Sequence, residues 1–412
     1  MEVFMPKIKN ELAISTNIAR LRQMRGLTQT ELAEALFVSN KTVSKWERGL
    51  GYPEITQLPA LARILGTTLD NLMLGDRHGI AIAGNIITDC VKLIDFFPER
   101  CMLSNISSLE MAVGGCAPNT GIDLAKIDPQ IKVSALGRVG SDEAGKFLVS
   151  EMIKCGIDVS GVITSQTAPT SFSDVMTVTS SGERTFFHHR GANAEFAPED
   201  ISLSHLRCKM LHIGYILLLD AFDEPDAEYG TVMARFLKAV QDEGIETSFD
   251  VVSDSRGGFA EKVIPALKYA DNAFMNEIEG SGVSGLPARD EGGRLIIENI
   301  KETMKQIMEK GVRRRVILHS PEASFCYNSE GEFTVVPSLK LEPDYIKGSV
   351  GAGDAFCAGC LYAIYQGYDD ESMLEFASGA AACSLSSKDA VSGMKDKNHI
   401  LDLIKTHEKQ TL

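Results

Sequence analysis

The stretch Gly348-Ser349-Val350-Gly351-Ala352-Gly353-Asp354-Ala355-Phe356 runs a glycine-rich turn straight into a helix, with one carboxylate at the junction. Glycines let backbone N–H groups close on an anion, and the positive end of the following helix points at the same spot. Asp354 beside such an anion hole stands where it can take a proton from an attacking hydroxyl. A place for phosphate charge and a base for the nucleophile are what phosphoryl transfer requires. Taken alone, the stretch reads equally well as a glycine turn before a core helix. No G-x-x-x-x-G-K-[ST] pattern occurs, which excludes a P-loop enzyme.

Other pieces narrow the reading. The string GAGDAFCAG resembles the C-terminal signature of the ribokinase-like, or PfkB, sugar kinase family. Residues 114–119 (GGCAPN) are similar to that family's GGxxxN element, 136–142 (LGRVGSD) to its LGxVGxD segment, and 276–279 (NEIE) to its NxxE element. The four matches stand in the family's order over residues 80–412. The resemblance implies an α/β fold, a parallel sheet flanked by helices with a small β lid. It also implies roles for single residues. Asp354 is the base that activates a sugar hydroxyl, and Gly351, Ala352 and Gly353 form the anion hole. Asn276 and Glu279 organise magnesium, through water, and the phosphates of ATP; oxygen ligands suit that hard cation. Residues 84–89 (GNIITD) resemble the family's first strand, whose Asp grips sugar hydroxyls, so Asp89 is the candidate, with Gly115 and Asn119 completing the pocket floor. Arg190 either reaches the acceptor or a phosphate, or serves structure. His188 and His189 have no metal-ligand spacing with other His or Cys.

Two departures stand out. Gly348 and Ser349 occupy the places of an Asp-Thr pair linked to monovalent-cation binding, which puts potassium activation in doubt. Residues 319–324 (HSPEAS) replace a Thr-Leu-Gly and Lys-Gly strand near the nucleotide, which implies a reshaped adenine side.

Through the same segment apolar runs alternate with amphipathic ones. Residues 210–218, 247–252, 273–276 and 315–319 predict buried strands, and 231–243, 259–270 and 293–310 the helices between them. That alternation predicts a mostly parallel sheet with ligands at the strand C-terminal ends. Residues 91–97 and 171–188 instead show strand-like polar and apolar alternation. By the resemblance they form the lid, which pairs with a second subunit, so a homodimer is expected. A mobile lid excludes water, the competing acceptor.

Residues 11–75 read as short helices. Ile18, Leu21 and Met24 set a stripe that Gly26 ends. Thr28 caps a second helix, with Glu31 completing a capping box and Leu32, Ala35 and Leu36 facing inward. Ser39 caps a third helix running to Arg48, stopped by Gly49. Ile55, Leu58, Leu61 and Ile64 predict a fourth, and Leu69, Leu72 and Met73 a fifth. This is helix-turn-helix geometry. Residues 27–49 resemble the Cro/repressor-type (XRE) family. The resemblance places Asn40, Lys41, Thr42, Ser44 and Lys45 on the exposed face of a recognition helix. Asn40 and Lys41 then reach base edges, Gln29 and Lys45 suit phosphates, and Val43 and Trp46 face the core. A double-stranded DNA operator read by a dimer is the expected partner; a helical bundle used for protein contacts is the alternative.

Composition fits two modules. The chain has 412 residues, 44% hydrophobic and 24% charged, as an ordinary soluble protein has. Residues 1–78 hold ten Lys and Arg against eight Asp and Glu, or +2, so the rest carries −17 of the total −15. DNA contact is therefore expected at the head alone. No long apolar run or leader is read, and nine scattered cysteines suit reduced thiols, so a cytoplasmic protein without membrane contact is expected. Cys357 and Cys360 form a C-x-x-C inside the helix after Asp354 and read as small buried residues, with a metal or redox role as the alternative. The leading expectation is an ATP-dependent sugar or polyol kinase coupled to sequence-specific DNA binding. The competing one is a transcription regulator whose kinase fold senses a sugar without turnover.

Overall fold

The computed structural model of the protein describes residues 14–181, 183–253 and 257–412. The start expected for the head at residue 11, and position 182 within the expected lid, lie outside them. The chain divides into two compact units between His78 and Gly79.

The head holds α1 (Ile14–Met24), α2 (Gln29–Ala35), α3 (Asn40–Glu47), α4 (Leu58–Leu65) and α5 (Leu69–Leu74). Both expected caps form. The Thr28 hydroxyl accepts from the Glu31 N–H while the Glu31 carboxylate accepts from the Thr28 N–H, and Ser39 accepts from the Thr42 N–H. Val43 and Trp46 are buried beside Ile18, Leu21, Leu32 and Leu36. Three facings differ from expectation. Ala33, not Ala35, is buried with Leu32 and Leu36, since α2 packs on α3 along that edge. Met24 is exposed at the last residue of α1. Ile55 is exposed too, because it lies in a 3-10 turn (Ile55–Gln57) ahead of α4.

Phe37, in the turn between α2 and α3, has φ 56° and is 97% exposed. A bulky residue in the left-handed region costs roughly 1–2 kcal/mol, and its ring recovers almost nothing by burial. Phe37→Gly is therefore expected to stabilise the head by about 1 kcal/mol, after allowing for the unfolded-state entropy of glycine. Trp46 is the sole tryptophan, so its fluorescence reports the head alone. An unchanged or lower urea midpoint by that signal would count against the strain.

The second unit is built on a nine-stranded sheet of β1 (Ile80–Gly84), β4 (Val133–Gly140), β5 (Asp158–Ser165), β8 (Met210–Ile216), β11 (Glu246–Val251), β12 (Asn272–Asn276), β13 (Arg315–His319), β14 (Ala323–Asn328) and β15 (Phe333–Pro337). Its order is β15-β14-β13-β12-β11-β8-β1-β4-β5. All neighbours are parallel except at the β14 and β15 edge. A second sheet, β3-β2-β6-β7, is the lid: β2 (Ile87–Ile94), β3 (Ile106–Gly114), β6 (Ser171–Val178) and β7 (Arg184–His189). A two-stranded hairpin joins β9 (Pro225–Asp226) to β10 (Gly230–Thr231).

Helices cover both faces of the large sheet, as parallel strands require. Ile80 and Ile82 join the core under α6 (Cys116–Ile127), α12 (Ala352–Gln366) and α13 (Asp370–Ser384), as do residues of α7 (Glu143–Lys154) and α14 (Lys397–Thr406). Ala81 and Ala83, pointing the other way, join the core with α8 (Val232–Asp242), α9 (Ile264–Leu267), α10 (Glu277–Ser284) and α11 (Ile297–Glu309). The expected strands appear near their predicted places. The helix expected over 259–270 is instead a π-turn (Phe259–Val263) followed by the short α9, where Pro265 supplies no N–H for a ladder.

Candidate active site

The C-terminal strand ends bring polar residues to one place: Tyr215 from β8, Asp250 from β11, Asn276 from β12 and His319 from β13. The start of α12 meets them. Gly351 caps that helix at φ 77°, and a Cβ there would fall 2.5 Å from Ala390 Cβ, so only glycine makes the turn. Asp354 follows in the first turn, buried. Its Oδ1 accepts from the Tyr215 hydroxyl at 2.7 Å and its Oδ2 from Asn119 Nδ2 at 3.0 Å. Burial, then the charge of Asp250, lifts its pKa to about 6, while the two hydrogen bonds pull against that rise. Asp354 is thus a carboxylate at neutral pH, basic enough to accept a proton.

Asp89 lies on the lid strand β2 and not on the first strand of the main sheet, which ends at Gly84. That corrects the reading of 84–89 as one strand. The Asp89 carboxylate packs against Gly114, where a Cβ would come within 2.5 Å of Oδ2. Burial, then the Asp354 charge, raises its pKa to about 7. The repulsion falls on the group that ionises second: Asp354 loses its proton first and its charge keeps the proton on Asp89. Gly115 caps α6 and packs against Asn85 O, and Asn119, one turn in, reaches Asp354.

Asn276 and Glu279 form a capping box at the start of α10. Asn276 Oδ1 accepts from the N–H groups of Ile278 and Glu279, and its Nδ2 donates to Ser253 Oγ at 3.0 Å. Glu279 accepts from Ser253 Oγ at 2.8 Å and from the Asn276 N–H at 2.9 Å, and burial raises it to about 7. Both residues line a cleft of about 260 Å³ with Gly351, Gly353, Asp354 and Asp250. A second cleft, of about 640 Å³, is lined by Asn276, Ala352 and Gly353 and by apolar groups including Leu339, Leu341, Ile346, Ala382 and Leu385. His319 borders both clefts, and burial lowers its pKa to about 4, so it is neutral there.

Arg190, just ahead of the 3-10 turn Gly191–Glu195, faces the loop after β8. Its terminal nitrogens donate to the Leu217 carbonyl at 3.2 Å and face Asp220 at 3.6 Å. Sequence reasoning missed Asn85, Tyr215 and Asp250. The Asn85 side chain accepts from the Tyr215 N–H at 2.9 Å and donates to Leu218 O at 3.3 Å, tying the end of β1 to the loop after β8.

Two substitutions test this electrostatic picture. Tyr215→Phe removes a hydrogen bond that favours the Asp354 carboxylate and should move the acid limb of kcat/KM upward by roughly one pH unit. Asp250→Asn removes a repelling charge and should move it downward. Limbs that coincide with wild type in both variants would refute the assignment.

In the head, Asn40, Lys41 and Lys45 are exposed on α3, with Thr42 and Ser44 half-buried beside them. Asn40 Nδ2 donates to Thr30 Oγ1 at 2.6 Å, and the Thr42 and Ser39 hydroxyls meet at 2.8 Å. The Gln29 amide turns inward instead and donates to Glu47 Oε2 at 2.7 Å.

A parallel sheet carrying a buried carboxylate at a glycine-capped helix start defines a ribokinase-like carbohydrate kinase. Residues 77–397 match the pfkB family of carbohydrate kinases, and the chain belongs to that family. Residues 18–72 match a helix-turn-helix family. The chain is similar to ribokinase of Arabidopsis thaliana, 25% identical over 336 residues that cover 80% of this chain and 82% of that one. It is also similar to 5-dehydro-2-deoxygluconokinase of Clostridium perfringens, 26% identical over 77% of this chain and 91% of that one. The solved structure of the Arabidopsis thaliana ribokinase, complexed with ribose and ATP, superposes with a TM-score of 0.68 at 22% identity, covering 80% of this chain and 99% of that one. Among the described residues no helix is long and apolar enough to cross a membrane.

Proposed function

We propose that residues 80–412 transfer a phosphoryl group from magnesium-ATP to a hydroxyl of a sugar or polyol. We further propose that residues 11–75 bind an operator in double-stranded DNA, in the cytoplasm, with an affinity that depends on sugar occupancy. The observation that carries the first part is Asp354, held by Tyr215 and Asn119 at the start of α12 beside Gly351 and Gly353. Asp354 accepts the proton of the attacking hydroxyl. Asp89, Gly115 and Asn119 orient the acceptor, and the N–H groups of Gly351 and Gly353 face developing negative charge, while that of Ala352 meets Ser349 O at 3.4 Å and must turn from it to join them. The larger cleft suits a flat heteroaromatic base, since apolar side chains line most of it and the helix start lies at one end. Bound there, ATP supplies the phosphoryl group, and magnesium offsets its charge. Both Glu279 oxygens already accept hydrogen bonds, which supports contact with magnesium through water.

A homodimer formed through the lid is supported by exposed Ile106, Leu109 and Met111 on β3 and Phe186 and Phe187 on β7. For Arg190, its bonds to Leu217 and Asp220 favour holding the loop after β8 over touching the acceptor. The test is magnesium-ATP turnover over a panel of sugars, polyols and nucleosides, beside Asp354→Asn. Turnover of one acceptor, lost in the folded variant, supports the kinase. Sugar-dependent thermal stabilisation without turnover makes the unit a sensor. Operator binding by anisotropy with and without that sugar tests the coupling, which identical affinities would remove.

A further inference from the structure

We propose that Cys116, His212, Asp250 and Cys357 form a buried site for a soft divalent cation of the zinc class, beneath Asp354. Single ligand atoms of Cys116, His212 and Asp250 lie within 4.8 Å of one another. Cys357 Sγ stands outside that group of three but touches the imidazole, 3.6 Å from His212 Nε2 and 4.0 Å from Nδ1. Four separate elements supply them: the start of α6, β8, β11 and the second turn of α12. All four side chains are buried, and Asp250 Oδ1 has no hydrogen-bond partner. A buried carboxylate oxygen without a donor calls for one, or for a cation.

The imidazole is oriented for the task. Ser248 Oγ donates to Leu211 O at 3.5 Å, so it is free to accept from His212 Nδ1–H at 3.0 Å. With Ser248 accepting from Nδ1–H, Nε2 is left to a cation on its Asp250 side, 3.7 Å from Oδ2, while Cys357 Sγ stands beside the ring. Two sulfurs, one ring nitrogen and one carboxylate oxygen are a donor set for tetrahedral zinc and a poor one for magnesium. Gly214 leaves room for the cluster, because a Cβ there would fall 1.8 Å from Asp250 Oδ1 and 2.7 Å from Cys116 Sγ. Asp250 and Cys357 also line the smaller cleft, which gives an ion its way in.

Burial holds both thiols protonated without metal. Binding exchanges their two protons for the ion, with no change of oxidation state.

The experiment uses the full chain with the less buried Cys90, Cys101 and Cys155 changed to Ser, stripped with chelator and titrated with cobalt(II). The expected result is one equivalent bound per chain, with thiolate-to-cobalt charge transfer and tetrahedral ligand-field absorption. Loading the stripped protein should release about two protons per ion, and zinc should then displace cobalt with no further release. Cys116→Ala and Cys357→Ala should each weaken binding at least about tenfold, whereas Cys360→Ala, one turn further along α12, should not. Should Cys116→Ala fail to fold, Cys357→Ala and Asp250→Asn carry the test. Absence of stoichiometric absorption, or absorption unchanged in the folded ligand variants, overturns the site.

Discussion

Asp354→Asn is expected to lower turnover of the accepted sugar by ~10²–10⁴-fold, the usual worth of a positioned general base. The substitution is nearly isosteric and removes a buried charge, so the fold should survive. Tyr215 can still donate to the remaining amide oxygen, and Asn119, whose Oδ1 is unpartnered, can turn its own amide to accept from the new NH2, so loss of rate will report the base and not the scaffold. The pH dependence follows with a definite sign. Asp354 titrates near 6, raised mainly by burial, and must be ionised to accept a proton. kcat/KM should therefore fall as pH drops through about 6 and level off above it. Asp89, near 7 and facing the Asp354 charge, titrates as its coupled partner, so the limb will belong to the pair. A profile flat through that region, or an Asp354→Asn enzyme with wild-type turnover, would remove Asp354 from the role of base.

The parts of this site legible in the sequence are those that are local. Gly351 to Asp354 are consecutive, and Asn276 and Glu279 are three apart on one helix start, so a short string holds both the turn and the chemistry. Asn85, Tyr215 and Asp250 come from the ends of three strands that become neighbours only when the sheet assembles β11-β8-β1. Each is an ordinary polar residue after an apolar run, and that position at a strand C-terminus was the one available signal. Asp89 was legible as a residue but not as an element. The chain leaves the main sheet at Gly84, whose φ of 130° and close approach to the Gly214 carbonyl no other residue permits, and it re-enters pairing in the lid.

The same contrast governs the fold. Fully buried parallel strands such as β8 and β13 announce themselves as apolar runs. The lid strand β3 is exposed along most of its length and carries Ser107, Ser108 and Glu110 among its apolar residues, so neither a run nor a clean alternation marks it. In the head, period and caps fixed the helices, while inward facing depended on neighbours, as Ala33 and Gln29 show. A glutamine beside an N-cap looks like a phosphate ligand until the buried carboxylate of Glu47, eighteen residues on, is placed beside it.

That carboxylate sets the second large effect. Glu47→Ala is expected to destabilise the head by about 3–5 kcal/mol, the cost of leaving a buried charge without its partner. Arg22 Nε and Nη2 donate to Glu47 at 2.5 and 3.1 Å, and Arg22 Nη1 donates to Leu27 O at 2.6 Å. The two side chains are 12% and 8% exposed, so water can replace the lost bonds only in part. A domain of this size has only roughly 3–9 kcal/mol of stability to lose. The Trp46 transition should shift to much lower urea or vanish, and operator binding should go with it, while sugar kinase turnover by the other compact unit persists. Burial raises Glu47, but the Arg22 and Gln29 hydrogen bonds outweigh it and hold the carboxylate below its ordinary value of 4.5. Its contribution is therefore complete above that pH and is lost as pH falls through the lowered value. Arg22→Met with Glu47→Leu, an apolar pair of similar volume, should restore much of the stability. Glu47→Ala with a wild-type Trp46 transition would show the pair to be dispensable, and loss of turnover together with the head would show that the two units fold as one.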